Sequence, residues 1–288
     1  MEGSFFGRLV QNLRYRFMLI AGLFPYLLGA AVAARFAPSF QTYFFLLGLF
    51  GITLALTIVE FFNEYFDFRF GTGKVPQLLG PSRFSISAGV VAFACTLFIA
   101  IYIALARGWP ILLFSLLGFI SAAFYEGPPF RWSYIGLGEP IICLAYGPFL
   151  TMGSYYIHAQ TVDLHVGMAS LIPASLILSL VLINEIPDYL SDKMAGRKNL
   201  VVRIGRKMTG ITCQISLLAC YILVSIGLLL GEFPGLTILT FAAAPLGIWW
   251  LLTARENLAR PNVSIPAIRG AVLHYVMAMS LFTVGYVI

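Results

Sequence analysis

Apolar residues run along this chain in long stretches, and polar residues are confined to the joints between them. With about 20 residues needed to cross a bilayer as a helix, the pattern predicts nine membrane helices, near 17–34, 41–62, 84–106, 109–125, 135–157, 166–187, 208–231, 234–253 and 268–288. No polar segment between them is long enough to fold as a soluble domain, so residues 1–288 read as a single all-α integral membrane domain. Two joints are longer than a simple turn requires, 63–83 and 188–207, and long joints of this kind often carry function. Gly127-Pro128-Pro129 predicts a tight turn after the fourth span. Pro187 predicts a kink at the end of the sixth.

Composition supports the membrane assignment. Hydrophobic residues make up 60% of the chain and charged residues 10%, against roughly 25% charged in ordinary globular domains; mean hydropathy is +0.90. The net charge is +6, and its distribution sets the orientation. With the amino terminus on the cytoplasmic side, Arg35 and Arg107 fall on the far side and the other sixteen of the eighteen Lys and Arg residues on the near side, a strong positive-inside bias. The basic residues therefore read as topology, and no nucleic-acid motif accompanies them. The first apolar run lacks a small-residue cleavage site, so no cleaved signal peptide is expected. Cys95, Cys143, Cys213 and Cys220 lie inside apolar spans without metal-site spacing, and read as small buried hydrophobes. His158 and His165 read as interfacial residues, and His274 stands alone in the last span.

Two acidic clusters interrupt the pattern. Asn63, Glu64, Tyr65 and Asp67 close the second span; Asn184, Glu185, Asp188 and Asp192 close the sixth. Asn184, Asp188 and Asp192 are spaced i, i+4, i+8 and so stack on one helix face, with Pro187 expected to splay that face. Carboxylates at membrane depth are costly unless something pairs with them. Hard cations such as Mg²⁺ take oxygen ligands and share them with phosphate oxygens. Both clusters lie on the basic side, and each leads into a glycine-containing basic stretch. A transporter would instead distribute its acids through the membrane so that both sides reach them.

These motifs resemble those of the UbiA superfamily of intramembrane prenyltransferases. The resemblance rests on Asn63-x-x-x-Asp67, on Asn184-x-x-x-Asp188-x-x-x-Asp192, and on the following Gly196-Arg197-Lys198-Asn199-Leu200. Within the superfamily the chain is most similar to the 1,4-dihydroxy-2-naphthoate prenyltransferases of menaquinone biosynthesis, through Asn63 to Asp67, Gly80-Pro81-Ser82-Arg83, the stretch from Tyr125 to Phe130, and Gly136 to Glu139. It departs from the family in lacking the last aspartate of the first motif, where Gly71 and Gly73 stand, and in having Asn199 where that branch usually has threonine. Those glycines leave room for an altered substrate or a non-catalytic relative.

The resemblance implies nine helices around a central cavity open to the cytoplasmic side of a prokaryotic cell membrane. It implies Mg²⁺-dependent transfer of a polyprenyl group from an allylic diphosphate to an aromatic acceptor, with other acceptors of the superfamily (4-hydroxybenzoate, homogentisate, a chlorin or a glycerol-phosphate lipid) as the nearest alternatives. Asn63, Glu64, Asp67, Asn184, Asp188 and Asp192 are then the metal-ligand candidates, Asp67, Asp188 and Asp192 being the catalytic ones. Arg14, Arg16, Lys74, Arg83, Arg197 and Lys198 are candidates to bind the diphosphate oxygens, since its departure is driven by neutralising its charge. Tyr65 and Tyr125 are candidates for the aromatic wall that shields the allylic cation. Glu139 either orients the acceptor or caps a neighbouring helix.

Overall fold

In the computed structural model, residues 13–70, 83–257 and 264–288 are described, with side chains described over 21–59, 89–255 and 266–288. Among these residues there is no β-strand. The order is α1 (Leu13–Phe36), α2 (Thr42–Phe70), α3 (Arg83–Arg107), α4 (Pro110–Glu126), a 3₁₀ turn at Trp132–Tyr134, α5 (Gly138–Leu144), a π-helical turn at Ala145–Phe149, α6 (Leu150–Ala159), and α7 (Leu164–Glu185). A 3₁₀ turn at Ile186–Asp188 then leads to α8 (Tyr189–Met194), α9 (Leu200–Leu229), a 3₁₀ segment Gly235–Ala243 running into α10 (Ala244–Asn257), and α11 (Ser264–Val287).

Six helical segments among the described residues are long and apolar enough to cross a membrane: 42–59, 89–107, 164–194, 200–229, 235–255 and 266–287. Two shorter apolar helices, 21–36 and 110–126, accompany them. The span expected at 135–157 is divided into α5 and α6 by the π-helical turn that holds Pro148. Neighbours in sequence pack as neighbours in space, from α1 through α2, α3, α4, α6, α7, α9, α10 and α11, and α11 returns to α1. Contacts of α1 with α6 and of α7 with α1 and α11 cross this ring. Its innermost member is α7, of whose span 61% is buried, more than in any of the other five.

Lipid tails are as apolar as the side chains, so what holds these helices together is close packing and interhelical hydrogen bonding. Ser154 Oγ of α6 donates to the Tyr26 carbonyl of α1 (2.6 Å), and Tyr275 Oη of α11 donates to the Ala21 carbonyl (2.7 Å). Gly29 lies against the Thr151 carbonyl and Ser154 of α6, where a Cβ would overlap backbone. Gly147 in the π-helical turn lies against the Ser170 carbonyl and Ala174 of α7 in the same way. The Tyr221 hydroxyl meets His274 Nε2 at 2.8 Å between α9 and α11. At the end carrying Arg107, its Nε and Nη2 donate to the carbonyls of Ile157 and His158, and His158 Nδ1 accepts from the Gln41 backbone N–H. His165 pairs with Glu232 at 2.6 Å and stacks on Phe36. Cys213 and Cys220 are buried, Cys143 is half-buried, and Cys95 is exposed.

Two boundaries differ from the sequence pattern. Helix α2 continues to Phe70, so the first acidic motif rides on its last turns rather than in a joint. Helix α9 begins at Leu200 rather than near 208, with a non-helical residue at Gly205 (φ 78°). The long joint expected at 188–207 therefore contracts to the few residues 195–199. The kink expected at Pro187 takes the form of the Ile186–Asp188 3₁₀ turn: proline has no N–H for the carbonyl four residues back, so α geometry stops at Glu185. Gly29→Ala should destabilise the fold by about 1–3 kcal/mol through overpacking of α1 on α6, seen as a lower melting temperature in detergent; an unchanged melting temperature would show that the two helices separate at no cost.

Candidate active site

The second acidic motif sits where α7 gives way to the 3₁₀ turn and α8. Asp188 and Asp192 are both half-buried. Asn184 turns back on its own helix, its Nδ2 donating to the Leu180 carbonyl at 2.8 Å. Helix α8 ends in a tight reversal: Gly196 (φ 74°) donates to the Lys193 carbonyl, and the Arg197 N–H reaches the Asp192 carbonyl at 2.9 Å. That pair of bonds needs a left-handed residue, which glycine supplies without strain.

The stretch that follows is pinned to the α4–α5 region through Arg197, Lys198, Leu200 and Arg203. Arg197 Nη2 donates to Glu126 Oε1 at 2.8 Å, an ion pair whose side chains are 14% and 7% exposed. Burial works against the Arg197 charge, but Glu126 first, then Tyr125, Asp192 and Glu185, outweigh it and hold the guanidinium above its ordinary pKa. The Arg131 guanidinium lies 3.6 Å from the centre of the Tyr134 ring, and that of Arg197 5.5 Å from it. The Lys198 N–H donates to the Tyr134 carbonyl, and Arg203 Nε to the Lys198 carbonyl. Gly136 (φ 72°) runs beneath: a Cβ there would lie 2.5 Å from Arg203 Cδ. Asn199, fully buried, caps α9 by accepting from Val202 N and donates through Nδ2 to Asp192 Oδ2, both at 2.9 Å. Glu139 Oε1 accepts from the Leu200 N–H at 2.7 Å.

The candidate residues therefore divide. Asp188, Asp192, Arg197, Tyr125 and Glu139 converge on one end of the bundle, where the Tyr125 hydroxyl faces Glu185 Oε1 at 3.4 Å. Lys198 is exposed. Arg197 is committed to Glu126. Glu139 is engaged as a cap on α9, one of the two roles its sequence position allowed, while its Oε2 is buried without a hydrogen-bond partner, as is that of Glu185. Asn63, Glu64, Tyr65 and Asp67 on α2, Arg14 and Arg16 on α1, and Arg83 at the start of α3 have side chains outside the described residues, and Lys74 lies outside them altogether. Glu126, Tyr134 and the bridging use of Asn199 were not singled out from sequence. A lone carboxylate before Gly127-Pro128-Pro129 was the one available signal for Glu126.

As a metal site the described half is partial. No three His, Cys, Asp or Glu side chains among the described residues gather as a metal site would require. Asp188 and Asp192 nevertheless offer hard carboxylate oxygens one helical turn apart. Mg²⁺ is usually held in this way, by one or two carboxylates with substrate phosphates completing the shell, so the donor set fits that ion.

Residues 22–275 match the UbiA prenyltransferase family. The chain belongs to that family. It is thus a prenyltransferase and a multi-pass membrane protein. It is similar to the 2-carboxy-1,4-naphthoquinone phytyltransferase of Synechocystis, at 25% identity over 93% of this chain and 90% of that protein. It is equally similar to the 1,4-dihydroxy-2-naphthoate octaprenyltransferase of Bacillus subtilis, at 25% identity over 92% and 83% of the two chains. The fold is shared with a digeranylgeranylglyceryl phosphate synthase (TM-score 0.68, 15% identity, 96% of this chain and 99% of the other). It is also shared with a UbiA homologue of Archaeoglobus fulgidus solved with GPP and Mg²⁺ (TM-score 0.62, 16% identity, 93% and 96%).

Removing one partner of a buried ion pair strands the other charge. Glu126→Ala or Arg197→Ala in this prenyltransferase should each cost about 3–5 kcal/mol, measured as a loss of melting temperature in detergent. Two side chains in contact do not contribute independently, so the Glu126→Ala/Arg197→Ala double variant should cost less than the sum of the two single ones.

Proposed function

We propose that this protein transfers a polyprenyl group from an allylic diphosphate to an aromatic acceptor, 1,4-dihydroxy-2-naphthoate, and so makes a menaquinone precursor. The observation that carries the reading is the pair Asp188 and Asp192, one turn apart at the end of the most buried helix, in a UbiA-family chain aligned over nearly its full length with relatives that act on naphthoate compounds. The described residues supply one set of candidate ligands, and the first motif, with Asn63, Glu64 and Asp67, supplies the other. Both sets belong to a single membrane domain with a central cavity. The sixteen-to-two distribution of basic residues supports a cytoplasmic opening in a prokaryotic cell membrane.

Mg²⁺ held by these oxygens supplies the Lewis acidity that stabilises the departing diphosphate. The residues of the chain do the rest. Asp67, Asp188 and Asp192 would hold that ion. Of the basic candidates, Arg14, Arg16, Lys74, Arg83 and Lys198 bind its outer oxygens, and Arg197 contributes through the field it sets up beside Asp192 while staying paired with Glu126. The C–O bond to the diphosphate breaks with its electron pair leaving on oxygen. The acceptor's electron-rich ring then forms the new carbon–carbon bond, and the attacked ring carbon sheds its proton, or its carboxyl group as CO2, to restore the aromatic ring, so no covalent protein nucleophile is needed. Tyr65 and Tyr125 offer π faces to the allylic cation and keep water away.

Purified protein with radiolabelled geranylgeranyl diphosphate, Mg²⁺ and a panel of acceptors tests this directly. Product is expected with dihydroxynaphthoate, and Asp67→Ala or Asp188→Ala should lower the rate by at least about 100-fold, the scale of losing one fixed electrostatic contact to the developing charge. Product only with another acceptor, such as a glycerol-phosphate lipid, would replace the acceptor and keep the chemistry. No product with any acceptor, from folded protein, would refute the reading and make Gly71 and Gly73 the mark of a non-catalytic relative.

A further inference from the structure

Asn199 is fully buried, and both ends of its amide are occupied by partners of different kinds. Its Oδ1 receives the Val202 N–H, which satisfies one of the free donors that open α9. Its Nδ2 donates to Asp192 Oδ2 across the α8–α9 corner. The arrangement is directional. Flipping the amide would set two oxygens against each other at Asp192 and two N–H donors against each other at Val202. Asp192 is also fixed from its other end, since its own carbonyl receives the Arg197 N–H. The backbone and the carboxylate of Asp192 are therefore held by two residues of one short corner. That corner is anchored to the α4–α5 connection through Glu126, Tyr134 and Glu139.

We propose that Asn199 is a positioning residue for the metal–diphosphate site: by donating to Asp192 Oδ2 it fixes the rotation of that carboxylate. This rests on the functional reading above. A carboxylate that rotates freely loses part of its affinity in reaching the bound orientation, and hydrogen bonds to metal-binding carboxylates are worth about 10–100-fold in metal affinity. The helix cap and the carboxylate clamp are separable functions of one side chain. Serine and threonine cap helices through a hydroxyl oxygen nearly as well as asparagine does, and their shorter side chains, held at Val202 by that one oxygen, lack the second arm with which the amide reaches Asp192.

The test uses the full chain in detergent, with Asn199→Ser and Asn199→Thr beside wild type. Mg²⁺ is titrated calorimetrically in the presence of geranyl S-thiolodiphosphate, which binds without ionising; melting temperature and the KM for each substrate are measured in parallel. The expected result is a melting temperature within a few degrees of wild type, Mg²⁺ affinity weakened about 10–100-fold, and an unchanged KM for the acceptor. Wild-type Mg²⁺ affinity in both variants would overturn the positioning role while leaving the functional reading intact. Loss of the fold in both variants, though each retains a capping oxygen, would overturn it in favour of a purely structural asparagine. Absence of Mg²⁺-dependent binding in the wild type would bring down the functional reading, and this inference with it.

Discussion

Charge placed at the end of a membrane helix must find its partners within the protein, and that requirement shapes this end of the bundle. Arg197 is the centre of the arrangement. It is ion-paired with Glu126, lies near Asp192 and Glu185, and extends over the face of Tyr134. A buried guanidinium without such company would be too costly to retain, and three carboxylates without the guanidinium would repel one another. Joining them lets the chain bring carboxylates to the membrane boundary and hold them in fixed orientations.

The fold supplies the anchorage that makes this possible. Helix α7 is held on several sides by α1, α5, α6, α9 and α11, so the motif at its end projects from the most constrained element of the bundle. Where α7 must stop, Pro187 enforces a 3₁₀ turn, and the reversal at Gly196 sends the chain back toward the α4–α5 connection. The close approach at Gly136 lets the two connections lie one on the other. Rigidity matters because catalysis by electrostatic preorganisation depends on dipoles and charges that need not reorganise when the bond breaks.

The same economy explains why single residues carry two tasks. Asn199 caps α9 through its oxygen and holds Asp192 through its N–H₂, and Glu139 binds the same helix start through one oxygen. Inside a membrane each polar atom needs a partner drawn from the protein, so a side chain with two functional ends is placed where two unmet demands meet.

The sequence alone determined the all-α membrane character and the position of the second acidic motif. Each of these is written in the order of residues: a bilayer imposes a minimum apolar length, and helical spacing brings Asp188 and Asp192 to one region. It also signalled a break at Pro187, because proline's missing N–H acts on its own helix. Tertiary structure alone decided which basic residue is engaged and by what. Arg197 and Lys198 are adjacent and indistinguishable by composition, yet one is buried on Glu126, seventy-one residues away, and the other is exposed. Glu126 drew no notice in the sequence beyond its place in the 125–130 stretch, and Asn199 stood there only as a departure from the usual threonine. Their roles follow from partners brought across the fold, and such pairing leaves no periodicity in the sequence to read.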